Sequence, residues 1–161
     1  MRAFAGIVAL TMLAACQQQP AETRADGAWV RLPAVSGNPG AAYFTIRGGS
    51  VATTLVAVKA PFAVRAELHE TMSSDGGGAA SHDGHAGMKG GAMSMQPVKD
   101  VAVPARGTVE FTPGGKHVML YDIGPAVKPG ERAPIILSFA DGKTIEVKAI
   151  VVAAGDPAPR D

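Results

Sequence analysis

Ile135-Ile136-Leu137-Ser138-Phe139-Ala140-Asp141-Gly142-Lys143-Thr144-Ile145-Glu146-Val147-Lys148-Ala149 holds two extended runs joined by an Asp-Gly pair. Asp-Gly between apolar runs is a strong short-range signal for a β-hairpin, since both residues tolerate the positive φ that tight turns need. In the second arm, which continues to Val152, Thr144, Glu146 and Lys148 alternate with Ile145, Val147 and Ala149. A period of two means one wet face and one buried face. The same texture recurs outward from this hairpin. Strands are predicted at 27–32 (closed by Pro33), 41–46, 53–58, 64–69, 108–111 and 117–121. On the fourth of these, Arg65, Glu67 and His69 share one face, with Val64, Ala66 and Leu68 expected on the core side. No helical period of useful length appears. Short strands between Gly- and Pro-containing turns predict an all-β domain, an antiparallel sandwich or small barrel.

The flanks read differently. Arg2 and the apolar run Phe4 to Leu13 are too short for a comfortable membrane span and look like a secretory signal. Leu13-Ala14-Ala15-Cys16 follows, and it resembles the lipobox of bacterial lipoproteins, in which the Cys is acylated and becomes the new N-terminus. Cys16 is the chain's one cysteine. The expected organisation is a signal peptide at 1–15, a flexible tether at 16–26, the domain at 27–152 and a frayed tail at 153–161. Such a protein lies outside the cytoplasm on the periplasmic side, held to the membrane by its lipid alone. Gln17, rather than Asp, resembles the outer-membrane sorting signal. Formal net charge is +1 with no basic cluster, so nucleic acid is not an expected partner. A monomer is expected.

Two stretches carry candidate chemistry. In Lys116-His117-Val118-Met119-Leu120 the strand period puts His117 and Met119 on one face, away from Val118 and Leu120. Imidazole beside thioether is half of a site for a soft, late transition metal, above all Cu(I). An isolated His-x-Met reads more readily as a surface His with a half-buried Met, because core Met is ordinary. The second stretch, about 72–95, gathers His82, His85, Met88, Met93 and Met95 amid Gly, Ala and Ser, with His69 just before it. A plain linker has no reason to collect those two residue types, and His-rich tracts are metal-binding candidates. With Cys16 acylated no thiol remains, so any soft ligand is a Met.

These residues together resemble the PCuAC periplasmic copper chaperones. The family's signature is a His, then a Met, then His-x-Met, with twenty-one residues between the Met and the second His. Residues 96–116, between Met95 and His117, number twenty-one. His69-Glu70-Thr71, Met93-Ser94-Met95-Gln96-Pro97-Val98, Val103-Pro104-Ala105, Pro113 to Leu120 and Ala28-Trp29-Val30-Arg31 also look like family segments. One departure stands out. Twenty-five residues, 70–94, separate His69 from Met95, many more than the family's usual spacing. An insertion carrying His82, His85 and Met88 accounts for it, and Met93 competes with Met95 for the middle place. Loop insertions cost little because closure entropy grows only logarithmically with length.

The resemblance implies a Greek-key, cupredoxin-like fold and a Cu(I) site made of His69, Met95, His117 and Met119. It implies a metallochaperone serving the copper centre of a haem–copper (cytochrome c) oxidase, directly or through another assembly factor. The insertion, with His82, His85, Met88 and Met93, is a candidate second Cu(II)/Cu(I) site. A copper-sequestering lipoprotein and a metal-free interaction module are the competing expectations. An enzyme is not expected, because no nucleophile–base pair is visible.

Overall fold

The computed structural model describes residues 21–73 and 93–160. Among the described residues ten strands follow in order: β1 Arg24–Arg31, β2 Gly40–Arg47, β3 Thr53–Lys59, β4 Ala63–Ser73, β5 Met93–Pro97, β6 Val101–Val103, β7 Thr108–Phe111, β8 Lys116–Ile123, β9 Arg132–Phe139 and β10 Thr144–Val152. They form one sheet in the order β5-β4-β8-β7-β2-β1-β10-β9-β3-β6, and β8 also pairs directly with β2. The two ends of that order come back together. Ala57 and Val58 of β3 share a hollow with Ala66 and Leu68 of β4 and with Val98 just after β5. The sheet is therefore curled into a half-barrel around one core, and the all-β class expected from the sequence is the class observed.

Alternation builds that core. Ala42, Phe44 and Ile46 of β2, Val118 and Leu120 of β8, and Ile135, Leu137 and Phe139 of β9 all point inward and are buried. Phe44 stacks on Phe111 with centroids 4.3 Å apart. Each such side chain contributes about 1.5–3 kcal/mol by leaving water. The Asp-Gly hairpin is present as well. Gly142 takes the left-handed position at φ 82°, and the Phe139 N–H donates to the Lys143 carbonyl across the loop at 2.9 Å.

Several details differ from the sequence reading. Pairing is mixed rather than wholly antiparallel: β1 runs parallel to β10, and β7 meets β8 in parallel. The hairpin with β9 sets the direction of β10, and the slot beside β1 then makes that pair parallel. β1 starts at Arg24, so the last residues assigned to the tether belong to the sheet. Its bulge after Asp26 is made by Gly27, at φ 60°. Val64 is 81% exposed rather than inward. Opposite it Asp122 sits at φ 53°, the local alternation slips, and Ala63 packs on the core instead. The tail residues 153–160 are tied down by Asp156, whose Oδ2 accepts from the Ala153 N–H and whose carbonyl accepts from Arg31, both at 3.1 Å.

The largest difference is around residues 72–95. β4 runs on to Ser73 and pairs in unbroken register with β5, so both ends of the expected loop form a two-stranded ribbon. Met93-Ser94-Met95-Gln96 does alternate apolar with polar, and Pro97 sits on an edge strand, where its missing N–H costs no ladder bond. Cys16, His82, His85 and Met88 lie outside the described residues.

Candidate metal centre

The Pro113-Gly114 turn aims β8. Gly114 has φ 83°, and the Gly115 N–H closes the turn on the Thr112 carbonyl at 3.0 Å. Pro followed by a left-handed Gly is the chemistry of a type II turn. The Gly115 carbonyl then has two uses. It accepts the Thr71 N–H of β4 at 3.2 Å, and it accepts His117 Nδ1–H at 2.9 Å.

Register does the rest. In the antiparallel pair of β4 with β8, His69 lies opposite His117 and Glu67 opposite Met119. Directly opposed residues point to the same side of a sheet, with Cβ atoms about 4.5–5.5 Å apart. On β5, Met95 lies opposite Thr71, which is two residues from His69 and so on the same face. Met95 is thus the diagonal neighbour of His69. Met93 pairs with Ser73, one step further out. His69, His117, Met119 and Met95, up to 50 positions apart in sequence, therefore share one patch of the outer face.

The two histidines of the patch are largely buried. His117 is only 5% exposed, and the His69 side chain is 11% exposed. The two rings face each other with centroids 5.8 Å apart and planes tilted by 37°. With metal–nitrogen bonds of about 2.0 Å, two imidazoles on one ion have centroids roughly 5–6 Å apart. Met119 is half-buried; Met95 is 59% exposed at the rim.

Among the described residues, four buried side-chain polar atoms lack a partner: Arg31 Nε, Thr53 Oγ1, His69 Nδ1 and His117 Nε2. Two of the four are on these facing rings. Leaving a buried polar atom unmatched costs about 1–3 kcal/mol. On each ring the other nitrogen is engaged: His117 Nδ1–H by Gly115, and His69 Nε2–H by Glu67 Oε2 at 3.4 Å. The orphaned nitrogens are thus the lone-pair nitrogens. A cation satisfies a lone pair; it does not satisfy Arg31 Nε, which carries a hydrogen.

Glu67 stands in a network of its own. Arg65 Nη1 donates to its Oε1 at 2.8 Å, and the Arg65 guanidinium lies 4.0 Å over the Tyr121 ring. The hydrogen bond from His69, then the Arg65 charge and the Tyr121 hydroxyl, hold the Glu67 carboxyl below its ordinary range. Burial, and then the Glu67 charge, push Tyr121 upward. The sequence reading placed Arg65 and Glu67 on this face without giving them a role. Their alternation with His69 was the available signal.

Among the described residues no three His, Cys, Asp or Glu side chains form a group able to hold a metal ion. Beyond the two imidazoles the patch offers the thioethers of Met119 and Met95, while the Glu67 carboxylate is already held by Arg65 and His69. That set suits Cu(I) and ill suits Mg²⁺ or Ca²⁺, which want oxygen, or structural Zn²⁺, which takes Cys or several His.

Comparison with known proteins gives three findings. Residues 24–151 match the protein family described as "Putative lipoprotein LpqE-like". The chain is 30% identical to "Putative lipoprotein Lxx21020" of Leifsonia xyli subsp. xyli over 142 residues, covering 84% of this chain and 75% of that protein. Among solved structures, CuI-DR1885 of Deinococcus radiodurans superposes with a TM-score of 0.56 at 30% identity, covering 86% of this chain and 83% of that one. The copper-bound PCuAC domain of PmoF2 superposes with a TM-score of 0.60 at 18% identity, covering 84% and 96%. The half-barrel is thus the PCuAC, cupredoxin-like fold.

Proposed function

The chain belongs to the LpqE-like lipoprotein family, and from that premise we propose that it is an extracytoplasmic Cu(I)-binding metallochaperone. His69, Met95, His117 and Met119 hold one Cu(I) as cargo. The observation that carries this reading is the pair of buried, unpartnered ring nitrogens on facing histidines, His69 Nδ1 and His117 Nε2. The relatives described as CuI-DR1885 and copper-bound PmoF2 point the same way.

Two neutral imidazoles and two neutral thioethers leave the loaded site at the +1 of the ion, with no thiolate to redox-cycle. The ligands are graded in exposure. The histidines are buried on rigid, fully paired strands, whereas Met95 sits on the outermost strand of the sheet. An incoming soft ligand on a recipient protein meets Met95 first. Exchange then proceeds inward one donor at a time, so copper passes without being released to water. The recipient we propose is a haem–copper oxidase copper centre, or an assembly factor on the way to it. Cys16 is the lipid attachment that keeps the exchange at the membrane. His82, His85, Met88 and Met93 serve as a weaker collecting site for copper in either oxidation state.

The test of copper holding is competition for Cu(I) between the full-length mature protein and a chromophoric chelator. The wild type is expected to win one equivalent with high affinity. Met95→Ala is expected to keep that equivalent but release it faster. Oxidase activity in cells lacking the protein tests the recipient. Normal oxidase with heightened copper sensitivity would favour sequestration over delivery.

A further inference from the structure

We propose that Glu67 is the positioning residue that decides which nitrogen His69 offers to the metal, so that the two histidines bind Cu(I) through different ring atoms, His69 by Nδ1 and His117 by Nε2. The inference rests on the copper reading above and goes further, to the donor atoms and the residue that selects them.

The hydrogen bonds carry the argument. A neutral imidazole has one N–H and one lone pair, and whichever nitrogen donates leaves the other free. His117 donates Nδ1–H to a backbone carbonyl, that of Gly115, at 2.9 Å. The Pro113-Gly114 turn fixes that carbonyl, and Nε2 is left as the free nitrogen. His69 is held the opposite way round. Its Nε2–H meets Glu67 Oε2 at 3.4 Å, and Nδ1 is the buried nitrogen without a partner. Spacing explains the difference. Glu67 is two residues before His69 on β4, so both side chains lie on one face and the carboxylate reaches the tip of the ring. On β8 the residue two before His117 is Gly115, which has no side chain and offers only main-chain oxygen near the ring's base.

Glu67 is itself held. Its Oε1 is taken by Arg65 at 2.8 Å, leaving Oε2 for His69. Arg65 is pinned in turn against Tyr121. A carboxylate held at both oxygens is restrained from swinging onto the ion, and a hard oxygen is a poor donor for Cu(I). Carboxylate–histidine–metal arrangements fix ring orientation and make the ligand nitrogen more basic, and losing the outer partner typically weakens metal binding about 10- to 100-fold.

The experiment is long-range ¹H–¹⁵N correlation of the imidazoles in the full-length mature protein, apo and with one equivalent of Cu(I), for wild type, Glu67→Ala and Glu67→Gln. The apo wild type should show opposite neutral tautomers, Nε2–H on His69 and Nδ1–H on His117. Cu(I) should then shift His69 Nδ1 and His117 Nε2. Glu67→Gln, whose amide oxygen still accepts, should keep that pattern. Glu67→Ala should let His69 Nε2 compete for the ion and lower Cu(I) affinity about 10- to 100-fold. Cu(I) shifting Nε2 of both rings in the wild type would overturn the inference while leaving the copper reading intact, as would a Glu67→Ala protein with unchanged donor nitrogen and affinity. Cu(I) shifting neither ring would overturn both. The wild-type spectra test the two donor atoms even if a variant fails to fold.

Discussion

Two parts of the outer face are built alike and end differently. On β1 and β2, Trp29 lies opposite Tyr43, with ring centroids 4.3 Å apart and each residue 8% exposed. On β4 and β8, His69 lies opposite His117, also with packed rings and almost as little exposure. The first pair is sealed by Val152 and Ile150 of β10 and by the Arg31 guanidinium 4.9 Å over the indole. Its atoms are mostly apolar, and burying them stabilises the fold. The second pair buries two lone-pair nitrogens that nothing among the described residues satisfies. Antiparallel pairing of opposed rings thus yields stabilising packing in one place and, in the other, two unsatisfied nitrogens open to a ligand. The difference lies in side-chain chemistry, not in topology.

That contrast breaks cleanly if it is wrong. The largest expected effect is on copper: His117→Ala should cost more than the roughly hundredfold typical of losing a mere outer partner, with little change in apo melting temperature, because an unsatisfied buried atom leaves along with the ring. A chelator competition and an apo thermal melt check both halves. Trp29→Ala should do the reverse, costing about 3–5 kcal/mol of apo stability while Cu(I) affinity measured well below the melting temperature stays within a fewfold. A large copper effect from Trp29 would mean that the two regions are not separate. Smaller again is the result of replacing residues 74–92 with a two-residue Asn-Gly turn. The ribbon between Ser73 and Met93 is closed by any short turn, so the tight Cu(I) event should persist. Only weaker, additional binding should disappear from a calorimetric titration, and loss of the tight event would place the middle ligand inside the excised segment.

The smallest effect sharpens the sealed side. Burial raises the Tyr43 pKa, and the Arg31 charge only partly opposes it. With the folded value above the unfolded one, the neutral phenol favours the native state. That contribution is full below the unfolded value of about 10 and is lost as pH rises through the folded value. Tyr43→Phe should flatten the alkaline limb of apo stability relative to wild type, and identical slopes would mean that the hydroxyl is not buried as described.

Much of this was legible before any coordinates. Period-two runs at Phe44, Val118, Ile135 and Ile145 announce strands wherever one face is buried, and the His-x-Met spacing needed only that periodicity to put His117 beside Met119. What stayed hidden depends on register between distant strands. Nothing local in Glu67-Leu68-His69 says that it will lie against His117-Val118-Met119, because that pairing is set by which inner-face residues fit the core. β5 reads as loop in sequence because Met93-Ser94-Met95-Gln96 has little bulk to announce a strand, and its pairing with β4 is what orders it. β6, only Val101 to Val103, is too short for any periodicity to show. Val64 misled because alternation holds only while the backbone stays regular, and Asp122 opposite it does not.

In the proposed site one Cu(I) sits between the two histidines with sulfur on either side. X-ray absorption at the copper edge of the full-length mature protein carrying one equivalent of Cu(I) measures that directly. Two nitrogen and two sulfur neighbours, with the sulfur signal reduced in Met119→Ala and the nitrogen signal reduced in His117→Ala, are what the account predicts. A first shell of nitrogen and oxygen alone, or a sulfur signal indifferent to Met119, would contradict it.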